Sequence, residues 1–121
     1  GIRLAGCQPN RVQARWLLKA YRRLEDLVRD RTGAQEHGTK LFSHVFSGNN
    51  PKLTWQNISD AERVGRALLF TAAYMAHRNP RAHRELKGYQ DAQLSEFLIL
   101  NHLFGLERQA QLTENAVDIS L

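Results

Sequence analysis

Arg78 and His83 stand five residues apart with Asn79 and Pro80 between them. A guanidinium and an imidazole at that separation suit phosphate chemistry. In one unbroken helix they would point roughly 140° apart, because each residue advances about 100°. Pro80 changes that. Its ring cannot share a helix interior with the carbonyl of Ala76, and it disfavours the helical region for Asn79. The spacing predicts a helix ending near Arg78 and a new turn capped by Asn79, with Pro80 in its first position. His83 then lies about one turn inside the new helix, with Arg78 just ahead of it. The guanidinium, the imidazole and the free amides of a helix start converge there on a place to hold a phosphate.

RNA is a phosphodiester that such a pair can cut without a metal, because its own 2′-hydroxyl attacks the adjacent phosphorus. The protein has to move protons and stabilise the extra charge on the phosphoryl oxygens. An imidazole titrates near neutral pH and can serve as base or acid, which makes His83 the proton-transfer group on this reading. Arg78 offers paired donors as charge builds in the transition state. Asn79, as cap and hydrogen-bond partner, positions both. His77, Arg81 and Arg84 flank the pair as substrate contacts or as solvated charge. A plainer reading stays open, in which Arg-Asn-Pro is only a capped helix stop and His83 donates to a backbone carbonyl. Tyr74, one turn before Arg78, either reaches the same cleft or packs in the core or an interface. His37, His44, His77, His83 and His102 have no pair at zinc-ligand spacing, and Cys7 is alone. No metal and no cofactor are expected.

The elements that must carry these residues read as helices. Pro9-Asn10 opens a long one running to Arg31, with Val12, Trp16, Leu17, Ala20, Leu24, Leu27 and Val28 as its apolar stripe. Gly33 stops it. Thr39 caps a short helix with Leu41, Phe42, Val45 and Phe46 inward and His44 exposed, broken at Ser47-Gly48-Asn49-Asn50-Pro51. Lys52–Asn57 alternates, with Leu53 and Trp55 on one side, as an extended piece or small hairpin arm. Ser59-x-x-Glu62 is a capping box that starts a third helix. Its inward positions read as Ala61, Val64, Leu68, Thr71, Ala72 and Met75. Gly65, Ala67, Ala72, Ala73 and Ala76 leave room for a close neighbour, from this chain or a second copy. Arg84–Gln90 turns. Asp91 then caps a fourth helix with a broad apolar face: Leu94, Phe97, Leu98, Leu100, Leu103, Phe104 and Leu106. A face so wide suggests burial on two sides.

The chain of 121 residues is 42% apolar and 24% charged, the make-up of one globular domain. No apolar run is long enough to span a bilayer, and a lone cysteine suits a reducing cytoplasm. Residues 1–33 hold eight Lys/Arg against three acids, so the whole net charge of +5 resides there. Arg11, Arg15, Lys19 and Arg22 fall largely off the apolar stripe. They read as an electrostatic footprint for RNA or, equally, as a solvated helix face.

The run Arg78-Asn79-x-x-x-His83 resembles the signature of HEPN-domain ribonucleases: an Arg, a polar residue after it, and a His four to six positions beyond the Arg. The wider context resembles the Ymh-type branch found in prokaryotes. It is carried by Leu24-Glu25-Asp26-Leu27-Val28-Arg29 with Thr32-Gly33, Gly38-Thr39-Lys40-Leu41-Phe42, Val45-Phe46-Ser47 and Arg78-Asn79-Pro80-Arg81-Ala82-His83, and spans Trp16 to Arg108. The resemblance implies a homodimer in which two copies of the motif face each other, each supplying an imidazole. It also implies a prokaryotic antiphage defence or toxin setting with an antitoxin or defence-complex partner. Ymh-type domains carry a further helix ahead of the one opening at Pro9, so a fragment of a longer chain, or a partner filling that place, is expected.

The fold expected is an all-α, HEPN-like helical bundle over residues 9–112, with a short extended or hairpin insertion around 52–57 and flexible ends at 1–8 and 113–121. The function expected is metal-independent endoribonuclease activity in the cytoplasm. The alternative is a non-catalytic dimerisation module that binds RNA or protein.

Overall fold

In a computed structural model the chain is described over residues 11–80 and 90–113, with side chains from 15 to 80 and from 94 to 113. Leu17, Tyr21, Leu24 and Val28 recur at helical spacing, and all four are buried along α1 (Arg11–Thr32). The helix stops where Gly33 adopts φ +74° and its N–H donates to the carbonyl of Arg29. A short α2 (Gly38–Phe46) follows, burying Leu41, Phe42, Val45 and Phe46 as their spacing predicts. His44 is exposed and pairs with Glu36.

The start of α2 departs from expectation. Thr39 is not its cap. The helix begins one residue earlier, with no side-chain hydrogen bond from the residue at its cap, His37. Glu25 reaches over from α1 instead, and its Oε1 accepts the Gly38 N–H at 2.7 Å. Gly38 sits at φ +59°, a conformation open to glycine. Glu25 is buried, and Arg29 lies 3.5 Å from the same oxygen. A carboxylate there favours the positive end of the α2 dipole. Glu25→Ala leaves a half-buried amide and a guanidinium without that acceptor, and should destabilise the protein by about 1–3 kcal/mol. Glu25→Gln should cost less. Urea unfolding with an unchanged midpoint for Glu25→Ala would contradict this junction.

Leu53 and Trp55 are both buried on one side of an extended piece. Its strand β1 (Leu53–Thr54) pairs antiparallel with β2 (Gln111–Leu112), from the far end of the chain. Thr113 is tied down as well: its N–H donates to the Lys52 carbonyl at 3.1 Å and its hydroxyl donates to the Pro51 carbonyl. The fraying expected from 113 therefore does not apply to Thr113.

The helix start expected at Ser59 is present: Ser59 Oγ accepts the Glu62 N–H at 3.1 Å and opens α3 (Asp60–Ala73), while the Glu62 carboxylate pairs with Arg66 at 2.9 Å and does not complete the box. The face of α3 is another correction. Its core positions are Ala67, Phe70 and Ala73, continued by Tyr74, whereas Val64, Leu68, Ala72 and Met75 are exposed, Leu68 at 59% and Met75 at 66%. The helix carries two apolar stripes, and the aromatic one wins. Phe70 stacks on Phe42 and Phe46 with ring centroids 5.3 and 4.6 Å apart, and Phe46 stacks on Trp55 at 5.0 Å. Each ring removes about 150–250 Å² from water, more than the aliphatic stripe offers per residue. Of the small residues, Ala67 and Ala73 are buried in the core, whereas Ala72 and Ala76 are exposed and nothing lies within 4 Å of where a Gly65 Cβ would stand.

The last helix, α4 (Gln90–Gln109), runs parallel to α1: Tyr21 meets Glu96, and Arg31 meets Glu107. Leu100, Leu103 and Leu106 enter the core and Phe104 packs partly against it, but Phe97 and Leu98 are exposed. Arg31 fastens the helix end by donating to the carboxylate and carbonyl of Glu107, both at 2.7 Å, and to the carbonyl of Ala110. The buried Trp55 indole N–H donates to the Leu106 carbonyl at 2.8 Å. The described residues are mostly helical, three long helices and one short, with a two-stranded pairing at one end.

Candidate active site

Pro80 has no N–H to give to a helix, and its ring clashes with the carbonyl four residues back. The chain meets this without breaking. Tyr74–Arg78 forms a π-helical turn, and the Asn79 N–H donates to the carbonyl of Tyr74, five residues back. Asn79 has φ −65° and ψ −47°, and Asn79 and Pro80 are both helical. The expected break at Asn79, with Asn79 as the extended cap of a new helix, is thus corrected. Widening one turn accommodates the ring, and this overrides the bias against helix in the residue before proline. π-turns of this kind are frequent at functional sites.

The turn presents His77, Arg78 and Asn79 together, all half-buried. Arg78 Nη1 donates to Asn79 Oδ1 at 3.4 Å, and the guanidinium carbon lies 6.0 Å from the Tyr74 ring centroid. Asn79 is the one hydrogen-bond acceptor of Arg78 among the described residues. The fork is steadied by an aromatic ring and keeps donors for an anion.

Tyr74 is the platform and not a reactive group. It is fully buried, its hydroxyl donates to the Tyr21 carbonyl at 2.7 Å, and its ring meets Tyr21 edge-on at 5.1 Å. The Tyr21 hydroxyl in turn donates to Glu96 Oε1 at 2.8 Å. Burial pushes the Tyr74 phenol well above its ordinary value, and the nearby Glu25 charge adds to this against the opposing pull of Arg78. Tyr74 therefore stays a neutral donor across the physiological range. Three helices converge on this chain of contacts, which fixes the height and direction of Arg78.

His83, Arg81 and Arg84 lie outside the described residues. Arg15, Lys19 and Arg22 are exposed along α1, and the side chain of Arg11 is again outside the described residues. Tyr21, on the inner side of α1, touches the π-turn, while Arg22 is turned about 100° away from it. The basic residues thus share an outer face and are not gathered around Arg78.

A second polar cluster was not evident from the sequence. Arg29 donates to Asp26 at 2.6 Å and to the Glu36 carbonyl at 3.2 Å, lies 3.1 Å from His37 Nδ1, and faces buried Glu25. The i, i+3 and i, i+4 spacing of Glu25, Asp26 and Arg29 was the available signal. Its contacts join α1 to α2, so it is a structural clamp. Among the described residues no group of three His, Cys, Asp or Glu side chains could hold a metal ion. No helix among them is long and apolar enough to cross a membrane.

No curated protein matches the chain, and no solved structure does. One protein-family model matches residues 8–104, under the description "Protein of unknown function (Hypoth_ymh)". The match covers most of the chain, including all of α1, α2 and α3, and α4 as far as residue 104, and leaves out residues 1–7 and 105–121. The chain belongs to the Hypoth_ymh family.

Proposed function

We propose that the protein is a metal-independent endoribonuclease of the HEPN type. The observation that carries this reading is Arg78 on a π-turn, seated over Tyr74 beside Asn79 with donors to spare, five residues before His83. In the reaction, the 2′-hydroxyl of RNA attacks the neighbouring phosphorus and the 5′-oxygen leaves. His83 takes the proton from the attacking hydroxyl or supplies one to the leaving oxygen. Arg78 stabilises the phosphoryl oxygens as charge accumulates. Asn79 steadies Arg78, and His77, Arg81 and Arg84 contact the substrate.

An acid and a base are needed together, and the Arg78–His83 motif of one chain ends in one imidazole. A homodimer supplies the second. The exposed stripe of Val64, Leu68 and Ala72 on α3 and Met75 in the π-turn, with Phe97 and Leu98 of α4, supports that assembly, since an isologous contact pairs each patch with itself. The setting is the cytoplasm of a prokaryote, in antiphage defence or a toxin system held in check by a partner protein. The same exposed stripe favours a second reading, a non-catalytic module that dimerises and binds RNA or protein.

Incubation of the purified protein with labelled RNA in EDTA separates the two. The expected result is cleavage whose specific activity falls on dilution through the dimer dissociation range. A monomer at every concentration that cuts at constant specific activity contradicts the dimer, and intact RNA contradicts the enzyme.

A further inference from the structure

Trp16 lies on the apolar stripe of α1 as the sequence reads, yet its side chain is 71% exposed. The core face of the helix is narrower than expected: Leu17, Tyr21, Leu24 and Val28 fill it, and Trp16 lies about 100° to one side of Leu17. The contrast with Trp55 is instructive. Trp55 is buried, donates its indole N–H to Leu106, stacks on Phe46 and carries Arg66 over its face at 5.5 Å. Trp16 has no ring contact, hydrogen bond or cation partner among the described residues.

What surrounds Trp16 is positive charge. Arg15, Lys19, Arg22 and Arg23 are all exposed on the same outer half of the helix. Lys19 stands about 4.5 Å along the axis from Trp16 and Arg23 about 10 Å. The first exposed acid along this face of the described helix is Asp30, beyond the basic stretch; Asp26 is engaged by Arg29. A flat apolar ring among cations meets both halves of a nucleotide: a π-face for a base and charges for phosphates. One ring offers too little apolar area to hold a membrane surface.

We infer that Trp16 is a stacking platform for an unpaired base, and that the outer face of α1 selects single-stranded over duplex RNA. This rests on the RNA-binding part of the function proposed above. In a duplex the bases are paired and stacked within the helix, so only phosphates reach the cations. In a single strand a base can turn out onto Trp16 while its neighbours' phosphates follow Arg15, Lys19 and Arg23. Losing one such stack lowers affinity about five- to a hundred-and-fifty-fold.

The test uses a short 2′-O-methyl oligouridylate, which lacks the attacking hydroxyl and cannot be cut by 2′-attack, and an RNA duplex of matched phosphate number. Parent, Trp16→Ala and Trp16→Phe proteins are titrated with each. The single strand should quench the parent's tryptophan fluorescence, and Trp16→Phe, retaining only buried Trp55, should show no quenching. Trp16→Ala should bind the single strand at least fivefold more weakly, with Trp16→Phe between it and the parent. Duplex affinity and the salt slope should stay unchanged, because the phosphate contacts persist. Equal single-strand affinity for Trp16→Ala and parent overturns the stacking inference and leaves RNA binding standing. Equal losses on strand and duplex overturn the selectivity. A changed sedimenting mass with unchanged RNA affinity assigns Trp16 to a protein contact and overturns it too. A parent that binds neither RNA sinks both the inference and the proposed function, whereas a parent that stacks RNA but never cuts it sinks only the nuclease.

Discussion

Arg78→Ala should lower RNA cleavage by about a hundredfold or more, because it removes the donors that meet charge only in the transition state. His83→Ala should lower it by about 10²- to 10⁴-fold, the usual contribution of a positioned proton-transfer group. The fold should hardly notice the first change. Arg78 makes one long hydrogen bond to Asn79 and one contact to the Tyr74 ring. Together these stabilise the protein by about 1 kcal/mol. Arg78→Lys keeps the charge but loses the planar fork, so it should restore only part of the rate. Single-turnover cleavage alongside thermal melting checks all three variants. Full activity in His83→Ala contradicts its assignment, and loss of rate in step with loss of folded protein contradicts that of Arg78.

The other large effect concerns α3. Phe70→Ala should destabilise the protein by about 3–5 kcal/mol, since it removes a ring stacked against both Phe42 and Phe46 and leaves a cavity among close-packed aromatics. Leu68→Ala, two residues away on the exposed stripe, should change the stability of the isolated chain by no more than about 0.5 kcal/mol. Denaturant unfolding at a concentration where the chain is monomeric separates them. A costly Leu68→Ala with a mild Phe70→Ala would mean that α3 is turned the other way.

Which features were legible follows from how local their causes are. The cap at Ser59, the stop at Gly33 and the inward face of α2 depend on residues within a turn or two, and they appear as read. Choosing between two apolar stripes on α3 is not a local matter. The stripe through Val64, Leu68 and Met75 is as regular as the one through Phe70 and Tyr74, and only the rings of Phe42, Phe46 and Trp55 decide which is covered. Glu25 escaped notice for a similar reason: its task is to cap a helix thirteen residues on, and local spacing shows only its pairing with Arg29.

The Arg78 turn stands between these cases. Pro80 correctly marks an irregularity in the helix, but proline can be met by a break or by a widened turn, and the sequence does not choose. The residues that settle Arg78's position are Tyr74 and Tyr21, held by contacts that bridge 53 and 75 residues of chain. The blocks Leu24–Arg29 and Gly38–Phe42, which carried the family resemblance, meet in space at the Glu25–Gly38 junction. They report on how α1 and α2 pack and say little about chemistry.

The central claim is that this chain cuts RNA through its own 2′-hydroxyl with His83 and Arg78. The most direct measurement is of the ends left on RNA digested in EDTA. Attack by the 2′-hydroxyl predicts a 2′,3′-cyclic phosphate on one fragment and a 5′-hydroxyl on the other, from the parent protein and not from His83→Ala. Fragments bearing a 5′-phosphate, cleavage lost on adding EDTA, or RNA left whole would contradict it.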